Sequence, residues 1–359
     1  MVWTKPEGYS KKRVDWAGNI LIDKNSSAEE KDEALNILDN WRAIHRYPMH
    51  IFKKRLKLVS EKIDKNAVSV QRLKRLPSVL KKLQRVYSGN KSSMKLSRMQ
   101  DIAGCRAVVS NVSLAKRLYK EGYLQSDLKH TRVNEKDYIS YPKSDGYRSI
   151  HLVYKYKSNK EGKKEYNGLQ IEIQIRSKLQ HLWATAIETV DLFTRQAIKS
   201  NEGEKEWKDF FRLVSSAFAV MEKTPLVPNT PANLKELYAQ IKEKEKELQV
   251  IKVMRGWASA VRVFRQASKE KPNLKFFLLE LDVLQEKLNL TGYSQEDEEK
   301  AISDYSRAEK VNQNNRSYDV VLVGADKTSD LEKAYPNYFV DTREFLKYLE
   351  KILMDVIKP

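Results

Sequence analysis

A chain of 359 residues that carries 67 Lys and Arg against 48 Asp and Glu has a formal net charge of +19 at neutral pH. Its 41% hydrophobic content can fill real cores, no run approaches the roughly 18 unbroken apolar residues of a membrane span, and the single Cys105 excludes an internal disulfide or a multi-cysteine zinc site. The expectation is a cytoplasmic protein of two or three domains, with no membrane segment and no secretory leader in "MVWTKPEGYSKKRVDW". Its basic surplus favours polyanionic partners, namely nucleotides, RNA or DNA.

Residues 28 to 62 place Leu35, Ile37, Leu38 and Trp41 at helical intervals, and Pro48 marks a break or a new start. "SVLKKLQRVY", 78 to 87, predicts a further short helix. An α/β core follows: strand "GCRAVVS" (104 to 110), helix "SLAKRLYKEGY", strand "YRSIHLVYKYK" and strand "LQIEIQIRS". In the last of these, Leu169, Ile171, Ile173 and Ile175 face one way while Gln170, Glu172, Gln174 and Arg176 face the other. Pro142, Asp145 and Gly146 punctuate a loop just before "YRSIHLVYKYK". "KLQHLWATAIETVDLF" predicts a helix that packs Leu179, Leu182, Trp183, Ile187 and Val190 on the sheet.

Another helix is expected over 204 to 222, then a linker with three prolines over 223 to 234, then a long charged amphipathic helix from about 232 to 267. From about 273 a smaller α/β pattern begins. Its pieces are the strand "LKFFLLELDV", the helix "SQEDEEKAISDYSRAEKV", the strand "YDVVLVGA", a short "YFV" and the closing helix "TREFLKYLEKILMDVI", with Asp341 and Thr342 as its N-cap. No internal repeat is visible.

Four short segments mix strand patterning with charges that a solvated loop does not require. They are "RLKRLPSVLKKL" (72 to 83), "RMQDIAGCR" (98 to 106), the loop and strand "DYISYPKSDGYRSIH" (137 to 151) and "IEIQIR" (171 to 176). Two carboxylates, Asp101 and Glu172, thus sit on or beside strands among cations. Such a pair can share a Mg²⁺ with substrate phosphates, and the cations can contact those phosphates. Taken singly, each has a plainer reading that local pattern favours: Asp101 as a strand-start residue, Glu172 as an outward strand charge and the loop as a solvated hairpin.

In order and spacing the four segments resemble the synthetase domain of the RelA/SpoT family, the alarmone synthetases and their toxic relatives. The family pattern R-x-K-x-x-x-S-[IV] is matched by Arg72, Lys74, Ser78 and Val79, and D-I-x-G-x-R by Asp101, Ile102, Gly104 and Arg106. D-Y-I-x-x-P-K-x-x-G-Y-R-S-[LI]-H is matched from Asp137 to His151, and E-[VI]-Q-I-R from Glu172 to Arg176. The resemblance implies an α/β (α+β) fold: a mixed β-sheet related to nucleotidyltransferases, flanked by helices. It implies transfer of the β,γ-pyrophosphate of ATP to a ribose 3′-hydroxyl. Arg72, Lys74, Ser78, Lys81 and Lys82 would form the ATP site, with Arg98 and Arg106 lining its adenine or phosphate part. Asp101 and Glu172 would bind Mg²⁺, and Glu172 would also help deprotonate the acceptor. Tyr147 would stack on the acceptor base, with Lys143, Arg148, His151 and Arg176 around it.

The segments "WRAIHRYPMHIF" and "HLWATAIETVD" look like the toxic branch, in which the acceptor is the 3′ end of tRNA. The tail resembles that of fused toxin–antitoxin proteins of the CapRel type, whose pseudo-zinc-finger domain carries a Tyr-x-x-Tyr motif, matched here by Tyr335 and Tyr338. That resemblance implies a zinc-free, autoinhibitory tail and release by a phage structural protein such as a major capsid protein. The domains expected are a helical region over 1–70, the pyrophosphokinase over 71–230, a connecting helix over 231–270 and a regulatory domain over 271–359. The alternatives are a synthetase of (p)ppGpp or (p)ppApp, and a catalytically silent RNA-binding scaffold.

Overall fold

The computed structural model describes residues 3–74, 76–84, 94–197, 203–256, 270, 273–282, 285, 287–312, 318–324 and 338–354. The chain divides into two compact units: Met1–Ile139 with Arg148–Lys178, and Ser140–Tyr147 with Leu179–Pro359. Among the described residues no helix is long and apolar enough to cross a membrane.

The first unit opens with α1 (Lys11–Ile20), α2 (Ala28–Ile44) and α3 (Arg46–Ile63). Ser27 starts α2 through a capping box: its hydroxyl accepts from the Glu30 amide at 3.2 Å, and the Glu30 carboxylate accepts from the Ser27 amide at 2.9 Å. The helical run breaks at His45, and Pro48 lies in the first turn of α3, where its missing N–H is no loss. Then come β1 (Val68–Leu73), α4 (Leu76–Leu83), β2 (Ala103–Val109), α5 (Val112–Tyr119), β3 (Thr131–Asp137), β4 (Ile150–Lys155) and β5 (Gln170–Ser177). The strands form one mixed sheet in the order β1-β2-β5-β4-β3, with β2 and β5 parallel and the other pairs antiparallel.

Strand alternation gives this sheet two unlike faces. Cys105, Ala107, Leu152, Tyr154, Ile171, Ile173 and Ile175 are buried with Phe52 and Leu56 of α3 and with Ala115 and Leu118 of α5. Each of the fully buried isoleucines contributes about 1.5–3 kcal/mol. The opposite face takes Arg72, Gly104, Arg106, His151, Glu172 and Gln174. The β1 and β3 strands were not legible in the sequence, because both are sheet edges without a buried apolar face: β3 is mostly exposed and charged, and β1 has no fully buried residue.

The second unit holds the 140–147 segment, α6 (Lys178–Ala197, of which Lys178 belongs to the first unit), α7 (Gly203–Glu222) and α8 (Leu234–Leu248). It continues with β6 (Leu274–Asp282), β7 (Lys287–Ser294), α9 (Glu298–Asn312), β8 (Tyr318–Gly324) and α10 (Tyr338–Leu353). The three strands form an antiparallel sheet in the order β7-β6-β8. The apolar face of α6, expected to cover the sheet, packs Leu182, Trp183 and Val190 with Phe210, Phe211 and Val214 of α7 and Leu237 and Ile241 of α8. Phe345, Leu349 and Ile352 of α10 complete that core.

Three further expectations for this unit are corrected. The long helix over 232 to 267 is interrupted at Gln249, whose φ of 49° is left-handed, and helical backbone resumes over 250–256. The short "YFV" is the helical first turn of α10. Asp341 and Thr342 therefore lie inside α10 and cannot cap it, since a capping residue stands outside the helix; Thr342 is buried. Tyr335 lies outside the described residues, and Tyr338 is the first residue of α10.

Candidate active site

Lys74 immediately follows β1, Lys82 lies on α4 and Asp101 sits two residues before β2. The fold brings the three together: Lys74 Nζ is 2.8 Å from Asp101 Oδ2, and Lys82 Nζ is 2.8 Å from Asp101 Oδ1. Burial pushes the Asp101 carboxyl up, but the two ammonium groups outweigh it and hold the group below its ordinary value. Asp101 is therefore an ionised carboxylate with both oxygens engaged.

Glu172 stands on β5 directly beside Gly104 of β2 in the parallel register. His151 Nδ1, from β4, lies 2.8 Å from Glu172 Oε1, and Gln174 Nε2 donates to Glu172 Oε2 at 2.7 Å. Gln174 in turn accepts from the Arg176 guanidinium, and the Tyr138 ring meets the His151 ring edge-on at 5.4 Å. Burial raises the Glu172 carboxyl, the hydrogen bond and charge of His151 lower it, and the charge of Asp101 raises it again; the balance is a lowered value. Asp101 lies three residues before Gly104, the β2 partner of Glu172, so the two carboxylates stand toward the same end of the β2–β5 pair.

Asp101 and Glu172 supply hard carboxylate oxygens, the ligand type that Mg²⁺ takes, and would be the residues to hold it; in this structure those oxygens are engaged by Lys74, Lys82, His151 and Gln174. An ion held by two carboxylates takes its other ligands from water and substrate phosphate, the usual situation for Mg²⁺.

The remaining expected residues are distributed as follows. Arg72 is exposed on β1 and paired with Gly104, while Arg106 is half-buried on β2 and paired with Gln174. Ser78 is half-buried and Lys81 exposed on α4, and Arg98 is exposed at the end of a short 3₁₀ turn. Arg148 and Arg176 are buried. Lys143 and Tyr147 belong to the second unit, where the lysine ammonium lies 5.3 Å from the Tyr147 ring centroid. Asp145 Oδ1 accepts from the Tyr147 amide at 2.9 Å and closes the turn. Gly146 adopts φ +92°, and its carbonyl accepts from Ser215 Oγ at 2.6 Å. Gln174 is a site residue to which the family resemblance assigns no role, although its i+2 spacing from Glu172 puts it on the same strand face.

Residues 71–191 match the family described as "Region found in RelA / SpoT proteins". The chain is 26% identical to the GTP pyrophosphokinase YwaC of Bacillus subtilis (strain 168) over 168 residues, 44% of this chain and 78% of YwaC. It is 34% identical to the GTP pyrophosphokinase YjbM of the same organism over 94 residues, 25% of this chain and 41% of YjbM. Among solved structures it is similar to small alarmone synthetase 1 from Bacillus subtilis bound to its product pppGpp, with 25% identity, a TM-score of 0.41, and 50% of this chain and 89% of that one covered. Residues 71–191 thus match a RelA/SpoT region, and the comparisons support a pyrophosphokinase of the RelA/SpoT type.

Proposed function

We propose that the chain transfers the β,γ-pyrophosphate of ATP to the 3′-hydroxyl of a guanosine nucleotide, giving a (p)ppGpp-type product and AMP. The observation that carries this reading is the convergence of Asp101, two residues before β2 and bonded to Lys74 and Lys82, and Glu172, on the neighbouring strand β5 and bonded to His151. Two lysines against one carboxylate leave a surplus positive charge, which draws in a polyphosphate. Asp101 and Glu172 would hold Mg²⁺, which when bound would neutralise charge on the phosphates. The acceptor oxygen attacks the β-phosphorus, the bond from the β-phosphorus to the bridging oxygen of the α-phosphate breaks, and AMP leaves with the electron pair. Glu172, kept ionised by His151, takes the proton of the hydroxyl. The guanosine acceptor is supported by the names of the relatives, which are GTP pyrophosphokinases.

A second reading directs the same transfer to the 3′ end of tRNA. It is favoured by the net charge of +19, a larger basic surface than a small nucleotide requires. In that reading the tail inhibits through Tyr335 and Tyr338, and a phage structural protein relieves it. Incubation of the full chain with γ-labelled ATP, together with GDP and GTP or with bulk tRNA, tests both. Label in guanosine nucleotides supports the first and label in tRNA alone replaces it with the second. No transfer to either, in a chain that still binds RNA, leaves the silent scaffold. A Glu172→Gln control must abolish any transfer counted.

A further inference from the structure

The lysine that pairs with Asp101 is held by its backbone as well as by its side chain. The Lys74 amide donates to the Ile102 carbonyl at 2.8 Å, tying it to the residue after Asp101. The Lys74 carbonyl accepts from Arg42 Nε at 3.1 Å. Arg42 lies in the last turn of α2, and its guanidinium also donates to Asp39 Oδ1 at 2.9 Å. A guanidinium that bonds to a carbonyl on one side and a carboxylate on the other is fixed in orientation, because its donors form a rigid fork.

We infer that Arg42 is a positioning residue for the ATP site: it clamps the junction between β1 and α4 and so sets the two lysines that flank Asp101. Lys74 is the junction residue itself, and α4, which carries Lys82, begins two residues later. A displacement of the Lys74 carbonyl therefore moves one ammonium directly and the other through the start of its helix. Phosphate-binding groups lose much of their effect when displaced by about half an ångström. This inference rests on Lys74 and Lys82 serving the ATP phosphates.

Calorimetric titration of the full chain with a non-hydrolysable ATP analogue, run beside steady-state kinetics, tests it. In Arg42→Met the analogue binds about tenfold more weakly and the KM for ATP rises by the same factor, the size of one charge-assisted hydrogen bond. The KM for the acceptor stays at the wild-type value. Arg42→Lys, which keeps a donor for the carbonyl, recovers most of the loss. If Arg42→Met does not fold, Asp39→Ala replaces it: Asp39 is exposed, and losing this anchor weakens analogue binding about two- to threefold. Wild-type analogue affinity in whichever of these two variants is read, or a fall in kcat with both KM values unchanged, overturns the inference. A wild-type chain that binds the analogue but transfers nothing to guanosine nucleotides sinks the proposed function instead, and the effect of Arg42 on analogue affinity is still measured.

Discussion

Gly104 and Glu172 are direct partners on the parallel strands β2 and β5, and a Cβ placed on residue 104 would stand 3.5 Å from the Glu172 carbonyl oxygen and 3.9 Å from its Oε2. One methyl group is thus accommodated at ordinary contact distance, whereas branching beyond it enters the space over the carboxylate. Gly104→Ala should fold and keep pyrophosphate transfer within about an order of magnitude. Gly104→Val should keep its fold, since β-branched residues suit strands, yet lose nearly all transfer. Circular dichroism with an activity assay decides, and an active Gly104→Val would show that the space over Glu172 is not used.

The electrostatics of Glu172 give a signed pH prediction. Its carboxyl is raised by burial and lowered by His151, with a net lowering; the Asp101 carboxyl is likewise lowered on balance. Groups with depressed folded values stabilise the fold fully above the ordinary carboxyl value of about 4, and that stability is lost as pH falls through the folded value. The melting temperature should therefore be insensitive to these groups at neutral pH and fall in acid below about pH 4. His151→Ala removes the larger lowering influences and leaves burial and Asp101 opposed by the Gln174 hydrogen bond alone, so the acid limb of the pH–rate profile should move to higher pH. An unmoved acid limb would assign that limb to another group.

Replacement of Glu172 by Gln or of Asp101 by Asn should reduce transfer at least about a hundredfold, because each would remove one of the two anionic ligands proposed for magnesium. Raised Mg²⁺ should rescue little of it. Turnover near the wild-type level at ordinary Mg²⁺ in either variant would dismiss the metal assignment.

Gly146 combines φ +92° with close packing: an added Cβ would come within 2.9 Å of Trp183 Cζ2 and 3.0 Å of Ser215 Cβ. Gly146→Ala should cost at least about 1 kcal/mol of stability from the backbone alone. If Tyr147 receives the acceptor base, the same change should raise the acceptor KM and leave the KM for ATP unaltered. Denaturant unfolding and two-substrate kinetics separate the two effects, and equal rises in both KM values would dissociate Tyr147 from the acceptor.

Regulation by the tail is best tested by point changes. Truncation would remove Phe345, Leu349 and Ile352, which are fully buried with Phe211 and Phe218 in the core of the second unit, and losses of this size at single core positions already cost about 2–5 kcal/mol each. A chain ended before α10 should aggregate, whatever the tail regulates. Tyr335→Ala with Tyr338→Ala should arrest growth on expression, and the added Glu172→Gln should abolish the arrest. Soluble, harmless expression of the double variant would end the autoinhibition proposal.

The amino-acid order alone determined the central strands. Alternation over 169 to 177 specified β5 and the face on which Glu172 and Gln174 project, and the four motif segments named Asp101, Lys74, Lys82, His151 and Glu172 as one set. Local patterning suffices for these because a central strand must bury one face, and its period of two is then written in the residues. The edge strands β1 and β3 lacked such a signature, since one exposed side removes the demand for apolar residues. The start of α10 and the break at Gln249 were also hidden, because packing of the second unit overrides local propensity at helix ends. Above all, tertiary structure alone brought Arg42 to the Lys74 carbonyl and Ser215 to that of Gly146. These contacts join residues 32 and 69 positions apart in the chain, and no periodicity connects such positions; only the folded path of the backbone does.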